Sequence, residues 1–459
     1  MKQEKLPELG LDECLEASGG TKALLCGDKV YQEIAGLLKD HYGLRRVFII
    51  ADGNTMQAAG SDVIQLLTSN GVEIAGSHIF PAEPRLHGEY GYIETLRNAI
   101  ADLLHSPLVP LAIGAGTIND LAKKAADEAS LPYFCVPTAA SVDGYTSFGS
   151  ALLKDGHKQT LTCDAPRCIT ADMDVMSRAP AWLSSSGFGD LAGKIIAGAD
   201  WIIADAALPF GAKGAEPIEP KAWAMVQSGL YYYLERSLMA AQGDKDAIKS
   251  LFEALSITGF AMQYLRSSRP VSGAEHLFAH IWEMDDLCID GNPVTHGHKV
   301  AMGSLACAAF LEILFADPKG PPSQVTSFRR CTAEERIAEI KSAFAGHPGL
   351  ESVLQTGLEK LPDAQTIKRM REGFCDTWKT LRDNVFEQIL PYAEFKEILT
   401  KAKCPVLPAE VNLKRHELIA CSSRAQMIRV RYNALDMAWD LGCFKTVLSK
   451  METSDKYFY

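Results

Sequence analysis

The sequence predicts an α/β N-terminal Rossmann-like parallel-sheet domain followed by an all-helical C-terminal domain, with the active site in the cleft between them. Three observations carry that reading. Short apolar runs rich in β-branched residues alternate with helix-period stretches over roughly the first 180 residues. Two of those runs stop directly in loops of glycine or hydroxyl residues, the usual ending of a parallel strand that faces a ligand. Beyond about residue 180 the alternation ceases and long helical periods take over.

In order along the chain, Arg46 to Ala51 reads as a strand ending at Asp52-Gly-Asn-Thr55. A helical stretch from about Thr55 to Ser69 stops at Asn70-Gly71, and Val72 to Phe80 is the next strand. Glu89 to Leu104 has helical periodicity. Pro107 to Ile113 is a third strand and runs into Gly114-Ala-Gly-Thr117, with a helix over about Asn119 to Ala129. Tyr133 to Val136 is a fourth strand, ended by Pro137-Thr138. In the second half the helical stretches are Asp190 to Ile203, Lys221 to Gln242, Lys245 to Leu265 and Gly273 to Met284, with amphipathic runs near Thr332 to Ala345 and Ser422 to Leu441. The expected division is 1–180 for the dinucleotide-binding α/β domain and 181–459 for the helical metal- and substrate-binding domain.

Composition narrows the function classes. The chain has 459 residues, 47% hydrophobic and 22% charged, which is ordinary globular usage for two or three domains. A formal net charge of -11 repels nucleic-acid phosphates and speaks against DNA or RNA as partner. It leaves room for a small anionic substrate, because local cations decide that. The segment MKQEKLPELGLDECLEASGG has no apolar run of leader length, and no stretch reaches the roughly 18 apolar residues of a membrane span. None of the 12 cysteines forms a CxxC pair, so they are expected to be reduced thiols in a cytoplasmic protein. A homo-oligomer, first of all a dimer, is the expected assembly.

Ile113-Gly114-Ala115-Gly116-Thr117-Ile118-Asn119-Asp120 follows a strand and opens a helix. Glycines let the backbone approach a pyrophosphate, and a helix N-terminus offers free N–H groups to anionic oxygens. Asn119 stands where the dinucleotide fingerprint has its last glycine, so the loop alone is also compatible with a plain structural turn. The hydroxyl-rich Val136-Pro-Thr-Ala-Ala-Ser-Val-Asp-Gly-Tyr-Thr-Ser147 ends the next strand on the same side of the sheet. It too can be read as a turn with Asx and Ser/Thr motifs. Asp52 could accept hydrogen bonds from a ribose, or it could cap the helix that follows it.

Gly187-Phe-Gly-Asp190-Leu-Ala-Gly-Lys194 puts an acid and a lysine four apart on one helical face. Ser272-Gly-Ala-Glu-His276-Leu-Phe-Ala-His280 does the same with two histidines, and Thr295-His296-Gly-His298 follows a Gly-Asn-Pro turn. Four of the 11 histidines therefore fall between positions 276 and 298. A carboxylate with imidazoles and an open position suits zinc, iron, nickel or another divalent ion. The competing reading of such a pair is a polar helix face, with His298 at the surface or behind the ligands. Glu275 precedes its histidine, so this is not the HExxH arrangement.

Taken in order, Gly-x-Gly-Thr-x-x-Asp, Pro-Thr-Ala-Ala-Ser-x-Asp-Gly, Gly-Asp-x-x-x-Lys, Arg-Pro-x-Ser-Gly-x-Glu-His-x-x-x-His and His-Gly-x-x-Val resemble the sn-glycerol-1-phosphate dehydrogenases. That family, here in its longer bacterial form, lies in the superfamily of iron-containing alcohol dehydrogenases, glycerol dehydrogenase and 3-dehydroquinate synthase. The resemblance covers roughly residues 20 to 315 and leaves the last 130 without a usable motif. It implies that Gly114, Gly116, Thr117 and Asp120 form the NAD(P) phosphate loop, with Thr138, Ser141 and Ser147 as further cofactor contacts. It implies Asp190, His276 and His296 as metal ligands, Asp143 and His280 as substrate contacts, and Lys194 as a cation where alcohol-dehydrogenase relatives often carry another histidine. Ala115, where many relatives have glycine, adds only a methyl group.

The resemblance also implies a reaction, the reversible reduction of dihydroxyacetone phosphate to sn-glycerol 1-phosphate with NAD or NADP and one divalent metal. Lys194, Arg269 and His280 are the candidates for holding the phosphate of the three-carbon substrate and for proton transfer. Alternatives are a glycerol dehydrogenase acting on unphosphorylated polyols, a phosphate-eliminating cyclase like 3-dehydroquinate synthase, and a non-catalytic metabolite binder. The cyclase relatives carry glutamate where Asp190 stands.

Overall fold

A parallel strand with both faces covered must be apolar throughout, not alternating. Val47 to Ala51 meets that demand, since all five are buried and Val47, Ile49 and Ala51 point to one core while Phe48 and Ile50 point to another. The structure is a computed structural model that describes residues 6–322 and 331–459; the first five residues of the segment read above as lacking a leader lie outside them. Its central sheet is built from β1 (Ala23–Gly27), β2 (Arg46–Asp52), β3 (Glu73–Phe80), β4 (Val109–Gly114) and β5 (Phe134–Pro137). After a hairpin of β6 (Ser150–Lys154) and β7 (His157–Leu161), β8 (Cys168–Asp172) completes it. The order is β1-β8-β5-β4-β2-β3, every pairing parallel. From β2 the chain moves outward to β3, then returns across β2 to β4 and continues the other way to β5. The direction therefore reverses between β2 and β4, where the carboxyl ends of neighbouring parallel strands leave an open crevice.

One face of the sheet is covered by helices Ile34–Tyr42 and Ser61–Ser69. The other is covered by Gly91–Ala101 and by α1 (Gly116–Glu128), and this core is continuous with that of the helical half. There α2 (Ala181–Ala207), α3 (Lys245–Leu265), α4 (Ala274–Met284) and α5 (His296–Leu314) pack around one another, with α5 lying against both α2 and α4. By length and composition α5 is the one helix among the described residues that could cross a membrane, but it contains His296, His298, Lys299 and Glu312, and 89% of its most apolar window is buried inside the fold, as befits a central core helix. All 12 cysteines are free.

Other differences from the sequence reading have physical causes. The strands β1 and β8 at one end of the sheet, and the hairpin, were not anticipated. Ala-Leu-Leu-Cys-Gly in β1 lacks β-branched residues, and His-Lys-Gln-Thr-Leu in β7 is polar. Helix α2 runs straight through Gly187 and Gly189 and begins at Ala181, not Asp190. Between Lys221 and Gln242 the expected helix is broken into Pro220–Gln227, Leu230–Arg236 and a short turn. The stretch Ser422 to Leu441 is not one helix either. Arg415–Ala425 stops, and Ala434–Asp440 starts on an Asn433 cap that accepts from the backbones of Leu435 and Asp436. The backbone between them is held by tertiary bonds: Tyr432 N–H donates to Gly214 C=O and Arg269 donates to Tyr432 C=O.

Candidate active site

At the reversal between β2 and β4, the last residue of β2, Asp52, and the residues just after β4, Ala115 and Gly116, line one side of a cavity of about 750 Å³. β4 ends in Gly114, whose carbonyl accepts from Thr138 N–H and so ties the end of β4 to the loop after β5. Helix α1 starts at Gly116 with Ala115 as N-cap, and no side chain satisfies its first N–H groups. Thr117 and Asp120 line the cavity beside them. A Cβ on Gly116 would stand 2.6 Å from Val142 Cγ1, so the approach of the hydroxyl-rich loop favours glycine here.

That loop is held from behind by residues that sequence reasoning missed. Lys123, fully buried on α1, donates to the carbonyls of Gly144, Ser147 and Gly149. Asn119, the residue in place of the third fingerprint glycine, donates to Gly144 C=O and accepts from Tyr133 OH. The hydroxyls of the loop are partly occupied: Ser141 Oγ is 2.9 Å from Tyr145 OH, and Ser147 Oγ donates to Gly144 C=O. Thr138, Ser141 and Ser147 line the cavity with Asp143. Burial pushes the Asp120 carboxyl up to about 6 against the pull of Lys123. Asp52 is an N-cap, with Oδ1 accepting from Thr55 N–H at 2.8 Å, and also stands at the cavity rim. Both readings of Asp52 remain compatible with its position.

The opposite side of the cavity is made of side chains from α2, α4 and α5. Asp190, His276 and His296 each offer a ligand atom, and these atoms lie within 4.8 Å of one another. Gly187, one turn before Asp190 on α2, is in tight contact with Ala140 C=O, leaving no room for a Cβ and bringing α2 onto the hydroxyl loop. Across this contact Asp143 N–H donates to Asp190 Oδ2 at 3.0 Å.

Each histidine is oriented by a glutamate. His276 Nδ1 is 2.6 Å from Glu275 Oε1, and His296 Nδ1 is 2.7 Å from Glu283 Oε1. A carboxylate only accepts, so both Nδ1 atoms carry the proton and both Nε2 lone pairs are left for a ligand. Glu275 Oε1 also accepts from Gly273 N–H, fixing the start of α4. Burial alone would raise the Glu283 carboxyl, but Lys158, His296 and Lys299 hold it well below the usual range. The donor set, with its protons already placed, fits a divalent metal ion.

His280 is one turn further along α4, 6.4 Å between ring centroids from both His276 and His296, and is not in the three-donor group. It lines the cavity and makes no hydrogen bond among the described residues, and burial holds its imidazole pKa well below normal. His298 points away, with Nε2 3.0 Å from Ser185 Oγ.

Two candidate cations have other employment. Lys194 Nζ is fully buried, 2.7 Å from both Asp190 Oδ1 and Asp143 Oδ2, and is not part of the cavity lining. Burial works against its charge, but the two carboxylates outweigh burial and keep it protonated. Arg269 is also fully buried and donates to the carbonyls of Asp200 and Tyr432, tying α2 to the C-terminal region. The cations that do line the cavity are different ones, among them Lys158, Lys299 and Arg429.

Comparison with known proteins identifies the family. Residues 25–180 match the family described as iron-containing alcohol dehydrogenase. The chain is 32% identical to a glycerol-1-phosphate dehydrogenase [NAD(P)+] of Bacillus velezensis, over 70% of this chain and 73% of that protein. It is 33% identical to the enzyme of the same name from Bacillus licheniformis, over 75% of this chain and 77% of the relative. Among solved structures, a glycerol dehydrogenase from Schizosaccharomyces pombe superposes with a TM-score of 0.55 at 17% identity, covering 95% of this chain and 93% of that one, a likeness of fold alone.

Proposed function

The chain belongs to the glycerol-1-phosphate dehydrogenase family of iron-containing alcohol dehydrogenases, and from that premise we propose that it interconverts dihydroxyacetone phosphate and sn-glycerol 1-phosphate. It is an NAD(P)-dependent oxidoreductase, and in this reading it works with one divalent metal ion, zinc, nickel or iron. The observation that carries the proposal is the shared cavity: the glycine loop at the switch of the sheet lines the same space as His276 and His296, with Asp190 buried directly behind the two histidines.

In this reading the free N–H groups at the start of α1 receive the dinucleotide pyrophosphate, with Thr117, Thr138, Ser141 and Ser147 around it. Asp190, His276 and His296 hold the metal. Bound together, the nicotinamide supplies the hydride and the ion polarises the carbonyl, a contribution of several kcal/mol. Asp143 and His280 face the substrate. With its pKa depressed, His280 is neutral at ordinary pH, so it can give or take a hydrogen bond at a substrate oxygen. Lys194 is a positioning residue, neutralising Asp143 and Asp190 so that the two carboxylates can sit together in a buried site.

The decisive assay follows NADH and NADPH oxidation by dihydroxyacetone phosphate after chelation and reloading with zinc, nickel or iron. Net, metal-dependent, stoichiometric oxidation is expected, with the phosphorylated ketone preferred over dihydroxyacetone. No oxidation with any metal, or a preference for the free polyol, would remove the proposal. A cyclase would regenerate its dinucleotide and show no net oxidation.

A further inference from the structure

The cavity contains a positive group that nothing described so far uses. Arg429 sits in the loop between helices Arg415–Ala425 and Ala434–Asp440, in the C-terminal region where the sequence offered no motif. It lines the cavity together with Ser268, Ser272, His276 and His280. Two residues on, Arg431 is buried behind it and donates to Ser272 C=O at 2.9 Å and to Ser268 Oγ at 3.0 Å. Arg429 Nη2 reaches the same Ser268 Oγ at 3.4 Å, its only hydrogen bond among the described residues.

Two guanidinium groups thus converge on one neutral hydroxyl. Glu216 acts on both electrostatically, and Glu275 and Asp200 also act on Arg431, but no carboxylate ion-pairs with either among the described residues. The lysines on the cavity wall differ. Lys158 is 3.3 Å from Glu283, and Lys299 also feels that carboxylate. Like charges held close in a partly buried site are unfavourable until an anion joins them. A guanidinium with most of its fork unfilled is suited to bidentate binding of a phosphate. The loop cannot drift away from the site, because Asp200 on α2 accepts from Ala434 N–H at one end of the loop and from Ala274 N–H at the start of α4.

We infer that Arg429, backed by Arg431, is the residue that recognises the phosphate group of the substrate, so that the C-terminal region sets the preference for a phosphorylated over a free ketone. This rests on the reaction proposed above. The shared chemistry, an anionic phosphate group, is also present in the dinucleotide, and the experiment separates the two.

Full-length Arg429→Ala and Arg429→Lys variants, checked for a wild-type melting transition, are assayed with dihydroxyacetone phosphate, dihydroxyacetone and NADH. For Arg429→Ala, the ratio of kcat/KM for the phosphorylated to the free ketone should fall at least about tenfold, mainly through KM for the phosphorylated one, with Arg429→Lys intermediate. Inorganic phosphate should bind the wild type by calorimetry and compete with dihydroxyacetone phosphate, and should do neither in Arg429→Ala. An equal loss on both ketones, an unchanged ratio, or a rise confined to KM for NADH would overturn the inference. If the wild type does not reduce dihydroxyacetone phosphate, the proposed reaction fails, and the calorimetric titration still decides whether Arg429 binds phosphate.

Discussion

The two walls of the cavity are made of different material. The sheet wall is chiefly backbone: the end of β4, the uncapped start of α1, and a loop held by Lys123 and Asn119 through its carbonyl groups. The helical wall is chiefly ionisable side chains, fully or largely buried, and neighbouring glutamates place the protons of His276 and His296. A backbone wall can bind the common parts of a dinucleotide without a charged residue of its own. A wall of buried charges can hold an ion, but it stands only if every member keeps its partner. Substitutions on the two sides should therefore fail in different ways, the sheet side losing dinucleotide and the helical side losing metal.

The largest effect is expected on the helical side. Asp190→Ala or His276→Ala removes one of three ligands and should lower turnover by about a thousandfold or more, with metal lost and the fold kept. Elemental analysis beside a melting curve reads both. A folded, metal-free variant with normal activity would show that this wall does not hold a catalytic ion.

A smaller loss is expected one layer out. Glu283→Gln and Glu275→Gln leave all three ligands but loosen the proton on His296 Nδ1 or His276 Nδ1, and metal affinity should fall about 10- to 100-fold. Competition with a chelator measures it. If both variants bind metal as the wild type does, the glutamates only fill space.

These glutamates also mark where the sequence stopped being legible. The glycine loop and the histidine cluster stood out by residue type and local spacing, but each also allowed a plain structural reading, and the set Asp190, His276, His296 was singled out by the family resemblance. Glu283 lies 13 positions before the histidine that it holds, and only the turn between α4 and α5 brings the two together. Lys194 was readable as the helical neighbour of Asp190, but Asp143, from the loop after β5, takes the other side of its charge. Arg269 looked available as a lone cation and is instead a buried staple. The loop carrying Arg429 sits in an amphipathic stretch whose period says helix, and bonds from Gly214, Arg269 and Asp200 override that preference. In each case the missing information is a contact between distant segments, which periodicity cannot carry.

On the sheet side, Gly116→Val should weaken NADH binding at least about tenfold with metal content unchanged. Two causes are mixed in that number, since the new Cβ also meets Val142 Cγ1 at 2.6 Å. Adding Val142→Ala relieves the packing clash alone. If the double variant regains full NADH affinity in fluorescence titration, the glycine serves loop packing; if affinity stays low, the backbone there faces the dinucleotide. Metal loss in Gly116→Val would break the division between the walls.

The smallest expected effect tests the boundary within the helical wall itself. His276 and His280 are one turn apart on α4, close enough by helix geometry for both to serve one ion. The structure separates them by partner. His276 has Glu275 on Nδ1 and Asp190 3.5 Å from Nε2, whereas His280 has no hydrogen-bond partner among the described residues and faces the cavity. A ligand that is removed takes the ion with it; a substrate contact that is removed costs rate or affinity alone. His280→Ala should therefore keep near-stoichiometric metal while its activity on dihydroxyacetone phosphate falls at least about tenfold, roughly 1.4 kcal/mol of transition-state stabilisation. Metal analysis of the purified variant beside His276→Ala reads the difference directly. If His280→Ala comes off the column as empty as His276→Ala, the two histidines bind the ion together and the separation by partner is wrong.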